Sequence, residues 1–194
     1  MTALASTVKR YSAEEYLTLE VESDSRSEFR DGEIVEMTGG TPAHNEITAT
    51  FLFLLKSALR KQPYSIFVTD QRLWLPDANR YTYPDIMITP RPPALQPNRK
   101  DTVMNPILIA ETLSDSTEAY DRGDKFAYYR TLESFQEYVL IEQYRPHVEH
   151  YTKQGDNAWL FKEYSGLESS FVLSSVSVEI QLADLYEAVE FEKT

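Results

Sequence analysis

Apolar and polar positions along the chain change period several times, and each period predicts an element. Ser12-Ala13-Glu14-Glu15 has the form of a capping box and predicts a short helix running to about Val21. In SEFRDGEIVEM, apolar and polar residues alternate on both sides of Asp31-Gly32, the pattern of a tight hairpin, and Gly39-Gly40 break its second strand. Thr41 followed by Pro42 reads as a helix start. Ile47, Phe51, Leu54, Leu55 and Ala58 then recur at helical spacing and carry the helix to about Arg60.

Short strands are expected near Tyr64–Thr69 and Gln71–Leu75, a turn at Pro76-Asp77-Ala78-Asn79, and a third strand over Thr82–Ile88. Residues 90–100 hold four of the ten prolines and read as a surface loop. Ile107–Ala110 is a continuous apolar run, as expected of a strand buried on both faces. A polar loop leads to a helix from about Asp124 to Leu132. Strands are expected at Glu137–Glu142, Val148–Thr152, Trp159–Tyr164 and Ser175–Ile180, followed by a closing helix over Leu182–Phe191. The order implies an α/β chain, an α+β mixed sheet with helices packed on it. The Ile107 and Tyr138 strands are separated by the length of a βαβ crossover and should be parallel.

At 194 residues the chain is expected to form one domain spanning 1–194. It lacks a long apolar run and an apolar N-terminal stretch, so neither a membrane partner nor a signal peptide is expected. Cysteine is absent, which excludes disulfides and thiolate metal sites and makes the cytoplasm the expected location. The net charge of −12 changes the picture more. Any grip on nucleic-acid phosphates must be local, drawn from Arg60, Lys61, Arg72, Arg91, Arg99, Lys100, Arg122, Lys125 and Arg130.

Two acids lie on or at the end of apolar strands, Asp85 in Tyr83-Pro84-Asp85-Ile86 and Glu111 in Ile109-Ala110-Glu111-Thr112. Charged groups are seldom buried there without a partner. A hard divalent cation, held by one or two carboxylates and water, is one such partner; pairing with arginines is the other. Lys125 begins the next helix and could return an ammonium toward the strand ends. A solvent-facing lysine is the plainer alternative. Glu28, in the hairpin, is a candidate to complete a metal shell or act as a base, or simply faces water. His44, at the start of the long helix, is a candidate for contacting substrate, as are Arg72 and Arg122. His147 and His150 are three apart on a strand and would point to opposite faces. Nucleotide-binding glycine loops, a nucleophile elbow and HExxH are all absent.

YPDIMI, IAETLSDST, DRGDKFAYYR and FQEYVLIE, preceded by YSAEEYLTLE and SEFRDGEIVEMTGGTPAHNEI, together resemble the Uma-two family of the PD-(D/E)XK superfamily over about residues 10–190. The resemblance implies a restriction-endonuclease-like core, a central mixed sheet flanked by helices. It implies Mg²⁺ or Mn²⁺ held by Asp85, Glu111 and the Thr112 backbone carbonyl, with Glu28 in support. It also implies phosphodiester hydrolysis of nucleic acid, with DNA and a homodimer as the expected partners. The superfamily lysine two residues after Glu111 is replaced by Leu113, and the resemblance assigns its role to Lys125. Two other readings stand beside this one. One is a catalytically inactive nucleic-acid- or protein-binding module on the same fold. The other is a carboxylate-pair glycosidase, supported only by the aromatic content.

Overall fold

The computed structural model describes residues 9–191. The chain forms α1 (Ala13–Glu22), β1 (Ser27–Arg30), β2 (Glu33–Glu36), α2 (Pro42–Ala58), β3 (Tyr64–Val68), β4 (Arg72–Leu75), β5 (Arg80–Thr82), β6 (Ile86–Pro90), β7 (Thr102–Val103) and β8 (Leu108–Thr112). There follow α3 (Glu118–Tyr120), a π-helical turn (Asp121–Lys125), α4 (Phe126–Tyr129), β9 (Glu137–Ile141), β10 (His147–Lys153), β11 (Trp159–Ser165), β12 (Ser170–Leu173), β13 (Val178–Gln181) and α5 (Leu182–Leu185). A large mixed sheet has the order β11-β10-β9-β8-β6-β3, and a smaller one the order β2-β1-β5-β4-β7. The crossover from β8 to β9 is parallel, with Leu108 opposite Glu137, as the spacing predicts.

Strand parity explains how the large sheet is covered. Ile86, Ile88, Leu108, Ala110, Val139 and Ile141 pack with Ile47, Phe51 and Leu55 of α2. The β12–β13 ribbon and α5 join that cluster through Phe171, Ile180 and Leu182. Met87, Ile109, Tyr138 and Leu140 alternate with these and belong to a second cluster. Leu73, Leu75 and Val103 of the small sheet and Tyr129 of α4 are also in it. The opposite face of the small sheet packs on α1, where Tyr16 stacks on Phe29 and Tyr81 at 5.3 and 5.4 Å. At the head of β9, Glu137 is fully buried and holds the β12–β13 turn. Its carboxylate accepts from the Ser174 and Ser175 backbone N–H groups at 2.7 and 2.9 Å and lies 3.1 Å from His150 Nε2.

Short-range signals locate most boundaries. Ser12 caps α1 with the reciprocal Glu15 contact, and Thr41 caps α2 ahead of Pro42. Asp31 and Gly32 both take positive φ, 47° and 101°, as a two-residue hairpin turn requires. Three expectations differ. The stretch Thr82–Ile88 is not one strand: β5 ends at Thr82 in the small sheet and β6 begins at Ile86 in the large one. Pro84 between them has no N–H to give to a ladder. The helix expected from Asp124 begins at Glu118 and is interrupted by the π turn. The closing helix ends at Leu185, and β12 precedes the strand expected near Ser175. No described helix is long and apolar enough to cross a membrane.

Two phenylalanines on α2 separate the contribution of packing from that of the helix itself. Phe51 has no exposed surface, whereas Phe53 is 66% exposed. Phe51→Ala should lower unfolding stability by about 3–5 kcal/mol and Phe53→Ala by less than about 1 kcal/mol, read from urea denaturation. Equal losses would mean that α2 is not seated on the sheet as described.

Candidate active site

The candidate site lies where the two sheets meet. After leaving the small sheet at Thr82, the chain passes through Pro84 and delivers Asp85 beside the end of β8. The β6–β8 ladder pairs Ile86 with Ala110, and beyond that point side chains replace the backbone partners. The Asp85 N–H donates to Glu111 Oε2 at 3.1 Å, and Asp85 Oδ2 accepts the Thr112 N–H at 2.8 Å. Thr112 Oγ1, on the α2 side of the sheet, is 3.0 Å from Thr48 Oγ1. Glu111 points the other way, with Ile109 and Leu113, toward the helical stretch 118–129.

That stretch is shaped by the π turn. In an ideal α-helix, residues four apart drift around the axis; one wider turn brings them back toward register. Asp121, Lys125 and Tyr129 consequently face the same place. Lys125 Nζ lies 2.9 Å from Glu111 Oε1 and 3.1 Å from Asp121 Oδ1, and the Tyr129 hydroxyl donates to Glu111 Oε1 at 2.7 Å. The Tyr138 hydroxyl donates to the Asp121 carbonyl at 3.1 Å. From the small sheet, Glu28 accepts from Thr82 Oγ1 and from Arg30 Nε and Nη2, the latter two at 2.9 and 2.7 Å. From α2, His44 Nε2 lies 3.1 Å from Asp85 Oδ2. A Cβ on Gly40 would come within 2.8 Å of His44 Nδ1, so glycine there leaves room for the ring. Glu28, His44, Asp85, Glu111, Thr112 and Lys125 all line a cleft of about 510 Å³.

The charges in this cleft are out of balance. Glu28, Glu111 and Asp121 are buried, as is Lys125, while Arg30 is partly exposed and Asp85 stands at the mouth. Burial drives Glu111 toward its neutral form. Lys125 opposes that, Asp85 and Asp121 add to it, and the carboxyl is pushed up to about 8. Burial alone would lower Lys125, but Glu111, Asp121 and Glu28 hold its proton more tightly than usual. Burial disfavours the Glu28 carboxylate as well, yet Lys125, Thr82 and Arg30 outweigh it and leave that acid below its ordinary value. Burial works against a charged His44, and its bond to Asp85 together with the nearby acids overcomes this and raises it.

Two buried atoms have no hydrogen-bond partner here: His44 Nδ1 and Asp121 Oδ1, the latter near Lys125 but poorly aligned with it. No group of three or more His, Cys, Asp or Glu side chains forms a ready-made cage among the described residues. A cation that keeps much of its water needs less. Asp85 and Glu111 offer the cleft the carboxylate oxygens that hard divalent cations take.

The family model described as "Putative restriction endonuclease", Uma2, matches residues 13–184. The chain belongs to the Uma2 family. Two Synechocystis sp. relatives cover nearly all of it. "Uncharacterized protein sll1609" is 39% identical over 175 residues, 90% of this chain and 99% of the relative. "Uncharacterized protein slr1290" is 31% identical over 184 residues, 94% of each. Among solved structures, a "putative nuclease belonging to DUF820" from Anabaena variabilis superposes with a TM-score of 0.73 at 17% identity, covering 91% of this chain and 98% of that one. That likeness shows the fold, a mixed α+β architecture.

Two of the expected contact residues are not brought to the cleft of this Uma2 chain. Arg72 is buried in the small sheet, donating to the Tyr83 hydroxyl at 2.8 Å and pairing with Asp101 at 3.3 Å. Arg122 bridges Glu118 and Glu149 at 2.5 and 2.8 Å on the far side of the π turn. In each case nearby acceptors hold the guanidinium in place. His147 and His150 serve separate contacts, with Ser165 and Glu137. Sequence reasoning passed over Asp121 and Tyr129 as partners of the site, although their spacing of four on either side of Lys125 was available. Arg30 was also overlooked; its signal was the alternation that places it on the same strand face as Glu28.

Glu111 and His44 set a pH dependence of one sign. Each has a raised folded value, so the stability it contributes is complete below its ordinary value, 4.5 for the glutamate and 6.5 for the histidine. That contribution is lost as pH rises through the folded value. In metal-free protein the urea midpoint should therefore fall as pH rises from 4.5 to about 8, and Glu111→Gln should flatten the slope. A midpoint that rises across this window in the parent protein would show that Glu111 is not held near its neutral form.

Proposed function

We propose that this chain is a Mg²⁺- or Mn²⁺-dependent endonuclease that hydrolyses phosphodiester bonds of nucleic acid, with DNA as its substrate. The observation that carries the reading is the convergence of Asp85, Glu111 and Lys125 in one cleft, from a sheet junction, a strand end and a π turn. The family match and the nuclease-like fold support it.

Asp85, Glu111 and the Thr112 carbonyl would hold the cation. When bound, it supplies a Lewis acid for a phosphoryl oxygen and lowers the pKa of water. Lys125 places a fixed positive charge beside these acids, where it can stabilise charge developing on the phosphate or orient the attacking water. The Tyr129 hydroxyl and the Asp85 N–H fix the Glu111 carboxylate at both oxygens, at 2.7 and 3.1 Å. Glu28, held by Thr82 and Arg30 and low in proton affinity, is suited to positioning Lys125 and Arg30 more than to accepting a proton. His44 is suited to holding Asp85 in place. A twofold dimer would present one such cleft to each strand of a duplex.

Asp85→Ala, Glu111→Gln and Lys125→Met should each slow cleavage of plasmid or linear DNA by about 100-fold or more, and excess chelator should abolish it. Circular dichroism should show the fold retained. Unchanged cleavage in all three variants would remove the site from this cleft. A folded protein that binds DNA and never cuts it would favour the inactive binding module.

A further inference from the structure

We propose that Arg30 and Arg80, side by side on the cleft face of the small sheet, bind backbone phosphates of the DNA strand flanking the bond to be cut. The inference rests on the nuclease reading above. In the antiparallel β1–β5 pairing Arg30 stands opposite Arg80. Residues so paired share a face with Cβ atoms about 5 Å apart, and like charges in that position repel. The same face carries Glu28 and Thr82, joined by a hydrogen bond, so the arginine pair continues the row that leads into the cleft. Arg30 itself lines the cleft.

Each guanidinium is laid on a tyrosine of the helical stretch that carries Lys125. Arg30 sits 4.0 Å from the Tyr120 ring centroid and Arg80 3.9 Å from that of Tyr128. Stacking fixes the planes without neutralising the charge. Glu28 takes Nε and Nη2 of Arg30. Arg80 donates only from Nη2, to the Tyr128 hydroxyl at 3.0 Å, and its Nε is buried without a partner. No acid lies within ion-pairing distance of Arg80 among the described residues. In a chain of net charge −12, an unneutralised arginine held against a second arginine is a local reversal of sign. A planar guanidinium with free donors matches a phosphodiester, which offers oxygens in the same geometry. Position beside the cleft selects a strand that continues past the scissile bond over a free phosphate ion.

The test measures binding of a fluorescent DNA duplex against salt concentration, with Mg²⁺ present and cleavage silenced by Glu111→Gln. Adding Arg80→Gln should weaken binding about tenfold and reduce the slope of log affinity against log salt by about 0.9, the signature of one lost phosphate contact. Arg80→Lys should keep most of the slope. Calorimetric Mn²⁺ binding to the Arg80→Gln protein, with Glu111 intact, should match the parent. If Arg80→Gln fails to fold, Arg80→Met, which keeps packing on Tyr128, carries the same expectation. Cleavage by the parent with salt slope and KM unaltered at Arg80 overturns the arginine assignment alone. A protein that neither binds nor cuts the duplex overturns this assignment and the nuclease reading together.

Discussion

Three buried carboxylates arranged around one buried lysine are the constraint to which the rest of the structure answers. Removing a charge from water costs several kcal/mol, and a pair recovers that only with good geometry and further hydrogen bonds. Lys125 lies near both Glu111 and Asp121, and Glu28 adds a third negative charge to its surroundings. One cation cannot compensate three acids. The remaining compensation comes from Tyr129 on Glu111, from Thr82 and Arg30 on Glu28, and from a proton held on Glu111 well above its ordinary range. Such an arrangement does little for stability. It keeps a concentration of negative charge in one cleft.

The fold supplies this cluster by bringing together elements that are remote in sequence. The chain changes sheets at Pro84, and that change sets Asp85 against the end of β8. The π turn aligns residues at spacing four on the surface that faces Glu111. The hairpin and β5 present Glu28, Thr82, Arg30 and Arg80 on one face, while Phe29 and Tyr81 anchor the other to α1. Each device is local, and the site exists only where all of them meet.

Much of this was legible in the sequence, for identifiable reasons. Capping residues and Asp31-Gly32 act within a few residues, so they mark helix starts and the hairpin directly. Apolar Ile107–Ala110 and the crossover length were enough for the parallel β8–β9 pair. Asp85 and Glu111 stood out as charges on apolar strands and Glu28 as an acid in the hairpin, whereas Lys125 read first as an ordinary helix-start lysine and gained its role from the family resemblance. What stayed hidden depends on three-dimensional partners. The strand read across Thr82–Ile88 is divided because its halves join different sheets. The π turn leaves no periodicity signature over five residues. Arg72 looked available for substrate, but its acceptors, Tyr83 and Asp101, come close only once the small sheet has formed.

Asp85 serves the architecture whatever its chemistry. Its backbone N–H, its carbonyl and its side chain tie together Glu111, Thr69 and Thr112 where the strand ladder stops. Selection for folding alone would keep an aspartate in this place. Lys125 is different: buried ammonium beside acids is a burden that apolar packing could relieve. Under the proposed reading, then, the lysine marks the chemistry and the Pro-Asp pair marks the fold.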